Sequence, residues 1–482
     1  MKAKQTIAGQ GGSRSSPAPR IVLLAHLALV AVWTLVSTSY GSELAVQSLA
    51  IFGYSDEGTQ PTSLIQGSDG CLYGTTSGGF RTGGLPNDTV FKLSPGGEIT
   101  TLASFDLTGT NGCCPGALVQ ASDGAFYGAS AWPNGARGSG APGGIFHLTT
   151  NGELKTIFAF NGANGRSARV LIYGNDGNLY GTTSGGGTLD YGTVFKLTPS
   201  GEHTILFSFS KTNGINPTSL VRGNDGTLYG TTSDWIGVNA PDTVFKLSPG
   251  GAFAVLSSSF DSGPARPWSL VLGVDGNLYG VDMAGGPNRF GSVFKMTTAG
   301  AVTTLAQFNG TNGWSPDRLI QATDGNLYGT TVAGGPDFVG WVSSEDGFVS
   351  SGAGTIFRLT PGGDLTALAS LQEIPGNDVL GLLRSAEGVL YGARSSGEPG
   401  QPAGIFRAVS APVIVGLQRI EGQDVVSWSS FIGGIYQVEQ RTTASASWTP
   451  VPSTIVAASK EATLTNAVSG TSEQYYRVRL LP

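Results

Sequence analysis

A Tyr-Gly pair returns seven times along this chain, at Tyr73, Tyr127, Tyr180, Tyr229, Tyr279, Tyr328 and Tyr391, with successive spacings of 54, 53, 49, 50, 49 and 63 residues. Each copy is followed, 14 to 18 residues later (28 in the sixth), by an apolar-Phe-basic tetrapeptide, the first being Val90-Phe91-Lys92-Leu93 and the last Ile405-Phe406-Arg407-Ala408. Self-similarity at a period near 50 is the mark of a repeat architecture, in which each unit buries its faces against its neighbours. The 482 residues therefore read as one large array plus a small remainder.

The third repeat shows the parts of a unit. Ala168 to Tyr173 is a mostly apolar, β-branched run, and Asn175-Asp176-Gly177 supplies a hairpin turn. Asn178 to Thr183, Gly192 to Leu197 and His203 to Phe209 give three more strands, separated by a loop over Gly185 to Tyr191 and a turn at Pro199-Ser200-Gly201. The Asp-Gly turn recurs at Asp69, Asp123, Asp225, Asp275 and Asp324, with Glu387 in the last copy. Such an acidic series would suit a ligand array, but Asp before Gly is ordinary turn chemistry, and that reading is preferred. The recurrent Tyr and Phe read as packing between units.

Composition agrees. Seventy-five glycines are too many for helices, and 39% apolar residues are too many for a disordered chain. A small four-stranded sheet cannot bury both faces alone, and radial stacking solves this. The expected fold is all-β: a seven-bladed β-propeller of four-stranded blades over residues 43–410, plus a small β-sandwich over 411–482. The last repeat lacks a fourth strand after Gly404 to Ala408. An orphan strand at Glu43 to Phe52 matches what is missing, so the two ends of the array are expected to share one sheet.

The phrase Asp-Gly-Asn-Leu-Tyr-Gly-Thr-Thr, followed by Gly-Thr-Val-Phe-Lys-Leu-Thr-Pro, resembles the GloVer-type tandem repeat of secreted bacterial proteins. Residues 175–199 carry it most fully; 224–249 and 323–330 are similar. The resemblance implies export, a propeller-like array and a variable C-terminal module, and no defined activity. Three repeats depart from the Thr pair, with Ala129-Ser130, Val281-Asp282 and Ala393-Arg394.

Residues 1–42 read as a secretory signal: Lys2, Lys4, Arg14 and Arg20 precede an apolar run over Ile21 to Val36, then small residues. An uncleaved anchor is the alternative, for which the run is short. Cleavage leaves a net charge of −10 on residues 43–482. That balance excludes an electrostatic footprint for nucleic acid. A secreted, surface or periplasmic monomer with no transmembrane span after cleavage is expected. Three cysteines, Cys71, Cys113 and Cys114, form no disulfide framework. In the C-terminal piece, Val413 to Gln418, Asp424 to Ser429, Ile435 to Arg441, Glu461 to Thr465 and Tyr475 to Leu480 read as strands. Trp428, Tyr436, Trp448 and Tyr476 are its candidate core, and the pattern resembles a fibronectin type III-like sandwich.

Strand order places the loops between second and third strands, and the entries to each repeat, on one face. Those segments carry the candidate ligand-binding residues Trp132, Arg166, Trp235, Arg266, Trp268, Trp314, Asp317 and Trp341. Aromatics mixed with Arg and Asp on a rigid scaffold suit polysaccharide or a cell-surface protein. The same tryptophans would also serve to pack their own loops. No cofactor or metal is called for: His26, His147 and His203 form no triad or zinc set. Catalytic residues are not assigned. A propeller-type glycoside hydrolase or lyase would need convergence among Asp282, Asp317, Asp337, Glu345 and Asp346. A structural or adhesive surface protein is the third class.

Overall fold

The structure is a computed structural model. It describes residues 44–480 except 53–59, 78–87, 96, 106–114, 131–142, 235–236, 260–264, 339–340, 345–346, 351, 373, 375, 377, 386–387, 396–402, 411, 413, 421–422, 431–434, 443–446, 460 and 468–474. The described residues are all-β, without an α-helix. They fall into two compact units divided between Ala411 and Pro412.

The first unit contains seven antiparallel four-stranded sheets, one per repeat. Repeat three runs Arg166–Tyr173, Leu179–Gly185, Thr193–Leu197 and His203–Ser208, hydrogen-bonded in chain order. The seventh sheet departs from chain order. Leu44–Phe52 pairs antiparallel with Ala403–Ser410, from Leu44 opposite Ser410 to Phe52 opposite Ala403, and forms that sheet's outer strand. The orphan strand thus fills the place expected for it.

The two recurring phrases prove to be a single packing device. In every repeat the Gly of Tyr-Gly lies directly across from the Phe of the third strand, as in Gly181 opposite Phe195 and Gly230 opposite Phe245. The Phe ring lies over its glycine, and a Cβ added at Gly181 would come within 2.4 Å of Phe195 Cζ. The Phe side chains at 91, 146, 195, 245, 294, 357 and 406 are all buried. Glycine is weak in a strand unless something needs the space, and here a ring does.

These rings join successive sheets. Phe195 sits with Tyr127, Ile145 and Leu171 in a cluster drawn from repeats two and three. Phe245 sits with Tyr180, Val194 and Leu220 from repeats three and four. The last repeat meets the first in the same way: Ala50, Phe52, Ala393 and Ile405 pack with Leu64, Phe91 and Leu93. The first strands of successive repeats also touch one another, and the first strand of repeat seven touches that of repeat one.

The Thr pair has its own role. Its second Thr bonds the Thr that opens the third strand: Thr76 with Thr89 at 2.7 Å, Thr183 with Thr193 at 2.8 Å, Thr232 with Thr243 at 2.8 Å and Thr331 with Thr355 at 3.1 Å. Thr243 and Thr355 also donate to the entry-loop carbonyls of Asn213 and Asn312. Two of the three departures keep this anchoring by other chemistry, while the buried Ser130 hydroxyl makes no hydrogen bond among the described residues. Asp282 accepts the entry-loop N–H groups of Ala265 (2.8 Å) and Arg266 (2.9 Å). Arg394, fully buried, donates to the carbonyls of Leu371 (2.7 Å), Ile374 (2.6 Å) and Ala353 (2.9 Å).

On the tight turns the recurring Asp does turn work and more. Asp69 accepts the Cys71 N–H, the Tyr73 hydroxyl (2.8 Å) and Lys92 (2.8 Å). Partial burial pushes the Asp69 carboxyl up, but these donors outweigh it and hold it at about 2. Asp176 and Asp275 repeat the pattern with Tyr180 and Tyr279.

The second unit has two three-stranded sheets. One runs Ile414–Ile420, Gln423–Ser429, Glu461–Ala467; the other runs Thr449–Val456, Ile435–Arg441, Tyr475–Leu480. Trp428, Tyr436, Val438, Tyr476 and Val478 share one core. Two expectations need correction. Trp448 lies outside this core, half-buried beside Arg441 and Arg477, because it precedes an edge strand instead of alternating inward. That edge strand, Thr449–Val456, was not expected. Pro450 and Pro452 suggest a loop, yet an edge position tolerates them.

Candidate functional site

The loops expected to share one face meet there through backbone bonds. The N–H of Gly187, in a loop between second and third strands, donates to Ala163 of the repeat-three entry, and Gly335 N–H donates to Gly310 of the repeat-six entry. Neighbouring repeats are tied likewise: Asn216 N–H to the Tyr191 carbonyl, and Ser315 N–H to the Phe290 carbonyl, both 2.9 Å. Ser315 holds a left-handed backbone (φ 55°), which turns the chain between Trp314 and Pro316 as the first strand of repeat six, Trp314–Gln321, begins.

This turn brings three rings together. Phe290 comes from the repeat-five loop, Trp314 from the repeat-six entry, and Phe338 from the repeat-six loop. Ring centres lie 5.9 Å apart for Phe290–Trp314, 5.5 Å for Phe290–Phe338 and 6.3 Å for Trp314–Phe338, all edge-to-face. Each ring is half-buried, so mutual packing fixes the cluster while part of each remains open to solvent. Arg289 and Asp337, adjacent in sequence to two of the rings, are exposed. Phe290 and Phe338 were not among the expected residues. Both lie in loops between second and third strands, but their meeting spans 48 residues of chain.

A polar cluster joins repeats four and five. Asp234 accepts N–H groups from Val238 (3.0 Å) and Ala240 (2.9 Å), and its own N–H donates to Asp242 at 2.5 Å. Burial pushes the Asp242 carboxyl up, with Asp234 and Asp282 adding to the rise; the Asp234 N–H and the Arg266 charge oppose it. Asp282 is buried and holds a third N–H, from Ala284 at 3.1 Å. Its oxygens are thus taken by backbone donors.

The remaining expected residues are dispersed. Arg166 pairs with Asp190 at 2.6 Å within its own repeat. Arg266 is exposed near Asp242, and the half-buried Trp268 packs against the cluster joining repeats five and six. Asp317 is buried, with Arg318 Nε at 3.5 Å. Trp341 opens a hairpin, Trp341–Ser344 with Gly347–Ser350, inside what was expected to be plain loop. Trp132, Trp235, Glu345 and Asp346 lie outside the described residues. Among the described residues no group of three His, Cys, Asp or Glu is placed to hold a metal ion.

With this geometry in view, the Gloeobacter/Verrucomicrobia repeat pattern matches residues 34–240 and 216–424. The chain belongs to the Gloeobacter/Verrucomicrobia repeat family. The matched span takes in every Tyr-Gly copy. No curated protein matches the chain. Among solved structures it is similar to PorZ, a surface component of the type-IX secretion system of Porphyromonas gingivalis, at 13% identity and TM-score 0.49, covering 89% of this chain and 60% of PorZ. It is also similar to a Xanthomonas campestris gluconolactonase (14% identity, TM-score 0.38, 63% of this chain and 90% of that one). A third is the PQQ-bound aldose sugar dehydrogenase of Streptomyces coelicolor (14%, 0.39, 76% and 99%). At these values none bears on the activity of this Gloeobacter/Verrucomicrobia repeat protein.

Proposed function

We propose that the chain is an exported, non-catalytic recognition scaffold: a closed seven-bladed propeller over residues 43–410 that binds carbohydrate on its loop face. Residues 1–42 are its export signal, and residues 411–482 form a fibronectin type III-like sandwich that spaces or attaches it. The contact of the first and last sheets, and the strand Leu44–Phe52 lent by one end to the other, support closure.

One observation carries the binding reading: the rings of Phe290, Trp314 and Phe338, from three separate segments, form one half-open aromatic surface. Sugars present apolar C–H faces that stack on such rings, while neighbouring polar groups fix orientation. Glycan-array binding of the full chain, compared with Trp314→Ala, tests this. Retention of a glycan class by the wild type, weakened about tenfold or more in the variant at unchanged melting temperature, is expected for removal of a stacking ring worth more than about 1.4 kcal/mol. Equal retention by both would remove the ring cluster from the account, and capture of a protein partner with no glycan bound would remove carbohydrate.

A second reading, cleavage of the bound glycan, is favoured by the raised carboxyl of Asp242 beside Asp282. It requires that Asp242→Asn abolish release of reducing ends from a glycan that the wild type cleaves.

A further inference from the structure

The second unit carries an arrangement of charge that the loop-face reading does not use. Residues 412–482 contain five basic and five acidic side chains, so the unit is neutral overall. Its arginines are not spread evenly. On the sheet Thr449–Val456, Ile435–Arg441, Tyr475–Leu480, alternation sends Tyr436, Val438, Tyr476 and Val478 into the core. Glu439 and Arg441 on the central strand, and Tyr475, Arg477 and Arg479 on its neighbour, are left for the other side. Register sets Glu439 opposite Arg477 and Arg441 opposite Tyr475.

Two of the three arginines on this face share one carboxylate. Glu439 is covered, accepts from Arg477 Nε, and has Arg479 at 3.4 Å. Arg441 forms no ion pair among the described residues. Its guanidinium lies 4.4 Å from the centre of the Trp448 ring and 5.6 Å from that of Tyr475, and Arg477 lies 4.7 Å from Trp448. A guanidinium laid on a ring has its plane fixed, which leaves in-plane N–H donors at its rim for the paired oxygens of an oxyanion. Much of the ordering that binding would otherwise require is already present. The local surplus is two positive charges on a surface stiffened by aromatic stacking.

We propose that this face, centred on Arg441, Trp448, Arg477 and Arg479, binds an anionic polysaccharide through its carboxylate or sulfate groups. Residues 43–411 carry 18 basic and 28 acidic side chains, so the repeat unit repels such a polymer, and attraction is confined to this face.

The test uses the full chain and immobilised polygalacturonate, dextran sulfate and neutral dextran. Retention on either charged polymer and not on neutral dextran is expected, declining as salt rises; which polymer is held tells carboxylate from sulfate recognition. Replacing Arg441 and Arg479 together (Arg441→Gln, Arg479→Gln) should weaken retention about tenfold or more, the loss of two charge-assisted contacts, with the melting temperature kept. Trp314→Ala should leave it unchanged, which separates this site from the loop face. Wild type that passes over both charged polymers at low salt, or a double variant that binds as the wild type does, would overturn the proposal. So would tighter retention on polyglutamate than on either polysaccharide, since the partner would then be an acidic polypeptide.

Discussion

The repeat unit and the C-terminal unit build their interiors by different rules. In the repeats no sheet owns a core: each cluster is shared by two successive sheets, and each is anchored by a Phe over a Gly. In the C-terminal unit two three-stranded sheets enclose one cluster around Trp428, Tyr436 and Tyr476. The first design makes every sheet depend on its neighbours, and the seventh sheet takes its outer strand from the start of the array. The second is local, and its outward face is released for other use.

The largest effect should come from cutting the shared design at its end. Deleting residues 43–52 strips the outer strand and the buried Phe52 from the seventh sheet. Phe52→Ala alone should cost about 3–5 kcal/mol, as for a large buried aromatic, and the deletion more. Calorimetry should show the repeat transition shifted far down while that of residues 412–482 stays. A truncated chain that melts at the intact temperature would break the comparison.

Glycines sharpen it. In Gly230→Ala the new Cβ would lie 2.4 Å from Phe245 Cζ and 2.5 Å from the Ser219 carbonyl oxygen. Overpacking of this kind costs about 1–3 kcal/mol or more. Gly416→Ala in the C-terminal unit meets Ser427 Cβ at an ordinary 3.5 Å and should be nearly neutral. Chemical denaturation of both variants checks the pair; equal costs would mean that the Phe-over-Gly contact is not special.

Acid should act next, and mainly on the repeats. Asp69 and Asp176 are each held at about 2, below the 3.8 of a free carboxyl. A depressed carboxyl contributes stability above its unfolded value that is lost as pH falls through the folded one. Melting temperature should therefore drop between about pH 4 and pH 2, and the double variant Asp69→Asn, Asp176→Asn should flatten that drop. These groups are part-exposed, so each is worth about 0.2–1 kcal/mol, the range of surface pairs.

The smallest effect concerns one position in the repeat. His203 stacks on Phe158 (4.4 Å, 7°) where the next repeat stacks Phe253 on Phe207 (3.7 Å, 4°). Burial pushes the His203 imidazole down from 6.5. The unfolded chain then binds this proton first, so stability is intact above about 6.5 and falls as pH drops towards the folded value. His203→Phe should remove that slope in melting scans from pH 7 to 5; an unchanged slope would place its origin elsewhere.

Much of this architecture was legible in the chain. Period, turn chemistry and the orphan strand at Glu43 to Phe52 required only local pattern. What the pattern could not give was partnership. Tyr-Gly and Val-Phe-Lys read as two motifs until register set Gly181 against Phe195. Val281-Asp282 and Ala393-Arg394 read as departures until Asp282 and Arg394 met entry loops that a Thr holds elsewhere. The ring cluster escaped for the same reason: Trp314 was singled out for its type, while Phe290 and Phe338 matter only through where two loops from different repeats arrive. Trp448 erred the other way, its aromatic character suggesting a core that its place beside an edge strand denies it.

The central claim is that the beginning of the array completes its final sheet. Hydrogen exchange of the full chain tests it most directly, by following amides of Leu44–Phe52 and Ala403–Ser410. The account predicts that both segments are protected and open together, with the global unfolding of the repeat unit. Exchange of Leu44–Phe52 at the rate of a free peptide, with Ala403–Ser410 still protected, would contradict it.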